Sequence, residues 1–151
     1  MVTGPRDPAT EPSPAPSAGA VPDSREMATL AARTAADKQG QAVVVLDVRE
    51  LITITDYFVI CSGTSDRQVK TLSDEIVNAL KARGVRPVRR EGELAAKWVL
   101  LDFVDFVVHV FNREEREFYR LENLWRDAPI VHWEEAAEAA GKIAEQSPPG
   151  P

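Results

Sequence analysis

The dominant pattern of apolar and polar positions lies between Trp98 and Trp125. Trp98-Val99-Leu100-Leu101 is apolar and rich in strand formers. Phe103 to Phe111 is a second such run, interrupted only by Asp105 and His109. Runs with many β-branched and aromatic residues and no Gly or Pro predict strands covered on both faces. The connection falls near Asp102-Phe103-Val104-Asp105. Tight hairpin turns want Gly or Asn at positive φ, and Val resists it, so a wider loop or a bulge is predicted. Asn112 then predicts a helix cap, with Glu115 reaching back as a capping box. Phe118, Leu121 and Trp125 fall at helical spacing and predict its buried stripe. Glu114, Glu115 and Glu117 suit the positive end of its dipole.

The same reading extends upstream. Asp23 or Ser24 caps a helix to about Gln39, with Met27, Leu30, Ala31, Thr34 and Ala35 on one face and Gly40 as its C′ residue. Ala42 to Val48 predicts the first strand. Leu51 to Thr55 is apolar for a loop and is expected to pack down. Asp56 to Cys61 predicts the second strand, and Thr64 or Ser65 caps the next helix. Val69, Leu72, Ile76 and Leu80 form that helix's apolar face, and Gly84 closes it. Val85 to Arg90 predicts a short strand whose Pro87 suits only an edge or a strand start. Glu91-Gly92-Glu93 is a turn. After Trp125, Ile130 to Trp133 is expected to pack back as an extended segment. The order is helix, two strands, helix, three strands, helix. It predicts a single α/β domain over residues 23–133, with a mixed sheet flanked by helices.

Composition adds the flanks. Met1 to Pro22 holds six of the eleven prolines and predicts a disordered Pro/Ala-rich tail. Residues 134–151 are Ala/Glu-rich, then Pro-rich, and read as a second tail containing a frayed helix. The formal net charge is -6, with Lys and Arg dispersed. That argues against DNA binding; an acidic domain of this kind meets a basic protein or simply stays soluble. Cys61 is the only cysteine, which excludes an intrachain disulfide and a metal site built on Cys pairs. No apolar run approaches the roughly 20 residues needed to cross a bilayer. No signal peptide is read at the N-terminus, and a soluble cytoplasmic protein is expected.

Several residues invite chemistry. Gly63-Thr64-Ser65, between a strand and a helix, reads as a phosphate cradle or as a plain turn with an N-cap, and the plain turn is favoured. Strand, Gly-Ser-like turn and helix also open the nucleotidyltransferase fold, which needs paired carboxylates for metal ions. The next predicted strand has no acid. Asp102 and Asp105 are three apart across a turn rather than two apart on one face. No metal, cofactor or catalytic residue is therefore assigned. His109 reads as a hydrogen-bonded core residue, Cys61 as a small buried hydrophobe and His132 as a surface residue. Trp98 has two readings, core packing and an exposed interface anchor. Asp102 and Asp105 would give such an anchor an acidic rim, and Tyr57 and Tyr119 are candidate contributors.

At these residues the chain resembles the ribosomal silencing factors, also called the Iojap or RsfS family. The resemblance is carried by Val45-Leu46-Asp47-Val48 and by Thr55-Asp56-Tyr57-Phe58-Val59-Ile60-Cys61-Ser62-Gly63-Thr64-Ser65. It continues through Arg67-Gln68-Val69, Trp98 to Asp102, Asp105, Val107 to Phe111, Arg116 to Tyr119 and Leu121 to Trp125. It implies a nucleotidyltransferase-like fold without the catalytic carboxylate pair. It also implies binding to the large ribosomal subunit through ribosomal protein L-fourteen, blocking the small subunit when nutrients run short. A homodimer in the free state is implied as well. Carried over residue by residue, Trp98 becomes the apolar anchor and Asp102 and Asp105 its acidic partners, with Lys97 and His109 beside them. The family usually has Gly where this chain has Val104. The leading expectation is a translational repressor with no chemistry of its own. The alternatives are a nucleotide-handling enzyme and a large-subunit assembly factor.

Overall fold

A computed structural model describes residues 23–134. The expected tail at 1–22, and all but Glu134 of the expected tail at 134–151 with its frayed helix, lie outside the described residues. Helix α1 (Ser24–Asp37) leads into β1 (Gln41–Asp47) and β2 (Tyr57–Gly63). Helix α2 (Asp66–Lys81) precedes β3 (Arg89–Glu91), β4 (Trp98–Asp102) and β5 (Phe106–Asn112). Two short helices, α3 (Arg113–Tyr119) and α4 (Leu121–Leu124), precede β6 (Ile130–Val131). The six strands form one sheet in the order β3-β4-β5-β2-β1-β6. Only β2 and β5 run parallel; every other neighbour is antiparallel. The mixed sheet is the expected one, with β6 realising the returning segment after Trp125.

Every residue of β2 is buried, as its unbroken apolar run predicts. Helices α1 and α2 cover one face. Met27, Ala28, Ala31, Ala32 and Ala35 meet Val69, Leu72, Ile76 and Leu80 over Val45, Val59, Val99, Leu101, Val108 and Val110. The opposite face holds a smaller cluster of Leu46, Val48, Phe58, Ile60, Phe111 and Ala128. Leu121 and Trp125 pack onto it from above.

Four expectations need correction. Helix α1 ends with Gln39, not Gly40, in the left-handed conformation (φ 74°). Gln39 N–H donates to Ala36 O and Gly40 N–H to Ala35 O, which closes a Schellman motif one residue early. The Leu51–Thr55 loop packs down only at Ile52 and Thr55, while Ile54 is 81% exposed. The Glu115 half of the capping box is not made, because Asn112 N–H already donates to Lys97 O at 2.8 Å. Asn112 does cap α3 by accepting from Glu114 N–H. Finally, the helix after β5 breaks at Arg120 (φ 48°), which leaves Phe118 80% exposed. The break turns Glu122 back onto the buried Arg116, with guanidinium–carboxylate contacts of 2.9 and 2.7 Å. That ion pair overrides the simple helical stripe.

The β4–β5 connection is tighter than expected. Asp105 N–H donates to Phe103 O at 2.9 Å across Val104, whose φ is 73°. This is a γ-turn at a β-branched residue. Asp102 Oδ1 steadies it by accepting from Val104 N–H at 2.9 Å. Backbone of this kind stores about 1–3 kcal/mol, whereas glycine adds about 0.5–1 kcal/mol of unfolded-state entropy. Val104→Gly is therefore expected to raise unfolding stability by about 1 kcal/mol. A shift of the denaturant midpoint to higher concentration at unchanged m-value checks this; a downward shift would refute the strain.

Candidate functional site

Antiparallel pairing of β4 with β5 places Trp98 opposite Phe111, Leu100 opposite His109 and Asp102 opposite Val107. Alternation along the strands puts all six on the face opposite α1 and α2. Trp98 stacks on Phe111 with centroids 4.8 Å apart, and Tyr119 of α3 lies 4.9 Å from the Trp98 ring. Trp125 covers Phe58 further along the face, at 5.2 Å. The short helices thus roof the β2 side of this face. Trp98, Leu100 and Val107 remain half-buried on the β4 side, beside the exposed Phe118 and Tyr119. The result is an apolar patch centred on one indole.

The indole is fixed from beneath. Trp98 Nε1 donates to His109 Nδ1 at 3.2 Å, and Phe58 meets the His109 ring edge-on at 5.2 Å. The accepted bond assigns the neutral tautomer with its proton on Nε2. Burial pushes the imidazole down to a pKa of about 4, because charging it would strip an ion of water. His109 is thus a neutral support for Trp98.

The acidic residues differ. Asp102 is held internally: Oδ2 pairs with Arg89 at 3.2 Å and Oδ1 caps the turn. Asp105 is exposed. Its carbonyl accepts from Asp56 N–H, and its carboxylate makes no ion pair among the described residues. Lys97 lies elsewhere. Its Nζ reaches Asp66 at the start of α2 (2.9 Å), on the other side of the sheet, and Asn112 Nδ2 donates to the same carboxylate at 2.8 Å. Lys97 and then Asn112 hold the Asp66 carboxyl below its ordinary range.

The remaining candidates are structural. Gln68 Oε1 accepts from Thr64 N–H at 2.7 Å, and Ser65 Oγ accepts from Gln68 N–H, so the Gly63-Thr64-Ser65 turn is closed on itself. Cys61 is fully buried and its thiol is pushed up to about 12. Tyr57 sits in the α1/α2 core beneath Arg49. Sequence reasoning put Trp98 and the acids together but passed over Leu100 and Val107. Period-two alternation from Trp98 and His109 would have found both. Phe118 escaped because the helix break at Arg120 has no marker in the sequence such as Gly.

Comparison with known proteins fits this arrangement. Residues 21–149 match the family model described as ribosomal silencing factor during starvation. The chain belongs to the ribosomal silencing factor family. The relatives include the ribosomal silencing factor of Halalkalibacterium halodurans, 41% identical over 73% of this chain and 94% of that protein. A crystal structure of a Chromobacterium violaceum protein superposes with a TM-score of 0.66 at 35% identity. It covers 68% of this chain and 86% of its own. Similarity extends to the mouse mitochondrial assembly of ribosomal large subunit protein 1, 40% identical over 55% of this chain but 38% of that longer protein. No described helix is long and apolar enough to cross a membrane.

The support under Trp98 carries a pH dependence. The folded-state pKa of His109 lies below its ordinary 6.5, at about 4. Between those values the unfolded chain takes up a proton that the folded chain refuses, so stability falls as pH drops through the window and levels off below it. The loss is about 3 kcal/mol at most. His109→Gln retains an acceptor for Trp98 but cannot titrate. The difference between wild-type and variant unfolding free energies should change across this window; a constant difference would contradict the buried neutral imidazole.

Proposed function

We propose that this protein binds the large ribosomal subunit through ribosomal protein L-fourteen and sterically prevents joining of the small subunit. Translation is thereby damped when nutrients are limiting. The observation that carries the proposal is the uncovered apolar patch around Trp98, with an exposed acid, Asp105, that has no ion-pair partner among the described residues, at its edge. A half-buried Trp whose donor is already satisfied offers a rigid, dry face at small entropic cost. Asp105, with Asp102 behind it, faces a basic partner and steers its approach, in keeping with a chain of net charge -6. His109 acts indirectly by orienting the indole, and Lys97 by bracing the start of β4 against α2. No chemical step is required, since two partners cannot occupy one surface. The site of action is the cytoplasm. A homodimer formed through the same apolar face would compete with ribosome binding.

A second reading uses the same contact during large-subunit maturation, and the name of the mouse relative supports it. The two differ in the particle bound, mature subunits for silencing and precursors for assembly.

Co-sedimentation with isolated large subunits, small subunits and joined ribosomes at two salt concentrations tests the proposal. Selective pelleting with large subunits, weaker at high salt, is expected, together with reduced joining on addition of small subunits. Trp98→Ala should weaken binding by about 2 kcal/mol or more, roughly thirtyfold. Asp105→Lys, an exposed change that leaves the core intact, should slow association and flatten the salt dependence. Normal binding by both folded variants would remove this patch from the interface.

A further inference from the structure

The start of β1 has an open edge. Strand β6 pairs with β1 only at Val45 and Leu46, so the outer side of Gln41 to Val44 has no strand beside it among the described residues. A cleft of about 390 Å³ opens at the same place, between Gln41, Ala42, Ser62 at the end of β2 and the two short helices. Arg113 and Arg120 line it and are exposed, and neither makes an ion pair among the described residues. The buried Arg116 is neutralised by Glu122, which leaves Glu117 as the only other charge among the lining residues. The cleft thus presents a basic rim in a protein of net charge -6.

The chain leaves the described fold beside this cleft. Pairing of Val131 with Val45 brings Trp133 level with Val43, and Trp133 Nε1 donates to Val43 O at 3.1 Å. Ala42, the next residue toward the start of β1, lines the cleft. The buried Trp133 therefore pins the exit, and the backbone turns helical at Trp133 and Glu134. The sequence that follows is amphipathic at helical spacing. Glu134, Glu135, Glu138, Lys142 and Glu145 fall on one side, and Ala136, Ala139, Ala140, Ile143 and Ala144 on the other. Four glutamates and one lysine give residues 134–146 a charge of -3, opposite in sign to the cleft rim. A helix over this stretch spans about 20 Å, enough to cross the cleft from its β1 side. A second arginine group, Arg25, Arg33 and Arg83, gathers toward the start of α1, away from this exit.

We propose that residues 134–146 of this chain dock as an amphipathic helix across the cleft between the start of β1 and the two short helices. The glutamates meet Arg113 and Arg120 at the rim in charge-assisted hydrogen bonds. The Ala-rich side lies toward the open edge of β1, where Val44 is half-buried and Ile130, opposite Leu46, is exposed. Exposed ion pairs are individually weak. They suffice here because the segment is covalently joined to its site at Trp133, which makes its local concentration high. Docked in this way, the helix thickens the thin layer of α3 and α4, the layer that sets Tyr119 against Trp98. Docking of this kind is independent of ribosome binding.

The test is paramagnetic broadening of backbone amide NMR signals in the full chain, with a nitroxide attached at Gln146→Cys. Cys61 is fully buried and stays unlabelled. Loss of the signals of Ser62, Arg113 and Asn123 is expected, with those of Arg25 and Thr29 on α1 retained. Adding Glu135→Lys and Glu138→Lys should restore the lost signals, and high salt should weaken the loss. These substitutions leave residues 23–133 untouched, and unchanged signals from β2 confirm the fold. Isotope-labelled chain without nitroxide, mixed with unlabelled chain that carries it, should keep every signal. The proposal is overturned if no signal is lost, if the loss falls on α1, if it survives the charge reversal, or if it appears in the mixture, which would seat the segment on a second copy.

Discussion

The structure depends on burying the parallel β2–β5 pair on both faces. β2 is covered at every position, and β5 exposes little more. A strand pair of this kind needs a layer on each side. Helices α1 and α2, fourteen and sixteen residues long, provide one complete layer. The other layer is provided by α3 and α4, of seven and four residues, with Trp125 and Ala128. That second layer is too small for the sheet beneath it. It closes over Phe58, Ile60 and Leu46 and leaves the β4 side open. The Trp98 patch is therefore a consequence of unequal roofs on one sheet.

What the roof does not cover is held in place from inside. Trp98 is braced by His109 and Phe111, and the two ends of β4 are pinned by Lys97 to Asp66 and by Asp102 to Arg89. The outermost strand, β3, is only three residues long and reads Arg-Arg-Glu, which discourages pairing with another chain. Together these features present a rigid aromatic face beside a protected edge, a combination suited to one partner rather than to open-ended association.

Backbone strain gathers around β4 and around the two short helices. Of the five described non-glycine residues at positive φ, Ala96 and Val104 lie just before and just after β4, while Ala42 and Arg120 face each other across the cleft between the start of β1 and the two short helices. Only Gln39, which closes α1, has a purely local role. Gly92 completes the pattern at the β4 end. Its φ is 85°, and a Cβ there would meet Trp98 O at 2.1 Å, so the turn can lie directly against the strand that carries the anchor.

The sequence alone determined most of the elements and the sheet type, because apolar periodicity and caps are local properties. Val69, Leu72, Ile76 and Leu80 announce a helix face, and Ser65 caps it as expected. The unbroken runs in β2 and β5 announce two-sided burial, and family membership was legible in the same stretches. Three things were decided only by tertiary contact. The helix after β5 bends at Arg120 because Arg116 needs Glu122, a pairing that local propensity does not encode. Trp98 is both core and surface because the roof ends beside it. Asp102 and Asp105, equivalent in the sequence, separate into an internal brace and an exposed acid because Arg89, thirteen residues upstream of Asp102, arrives on the neighbouring strand. Which side chain meets which across the sheet depends on register and on the lengths of the covering helices, and these are settled only when the whole core closes.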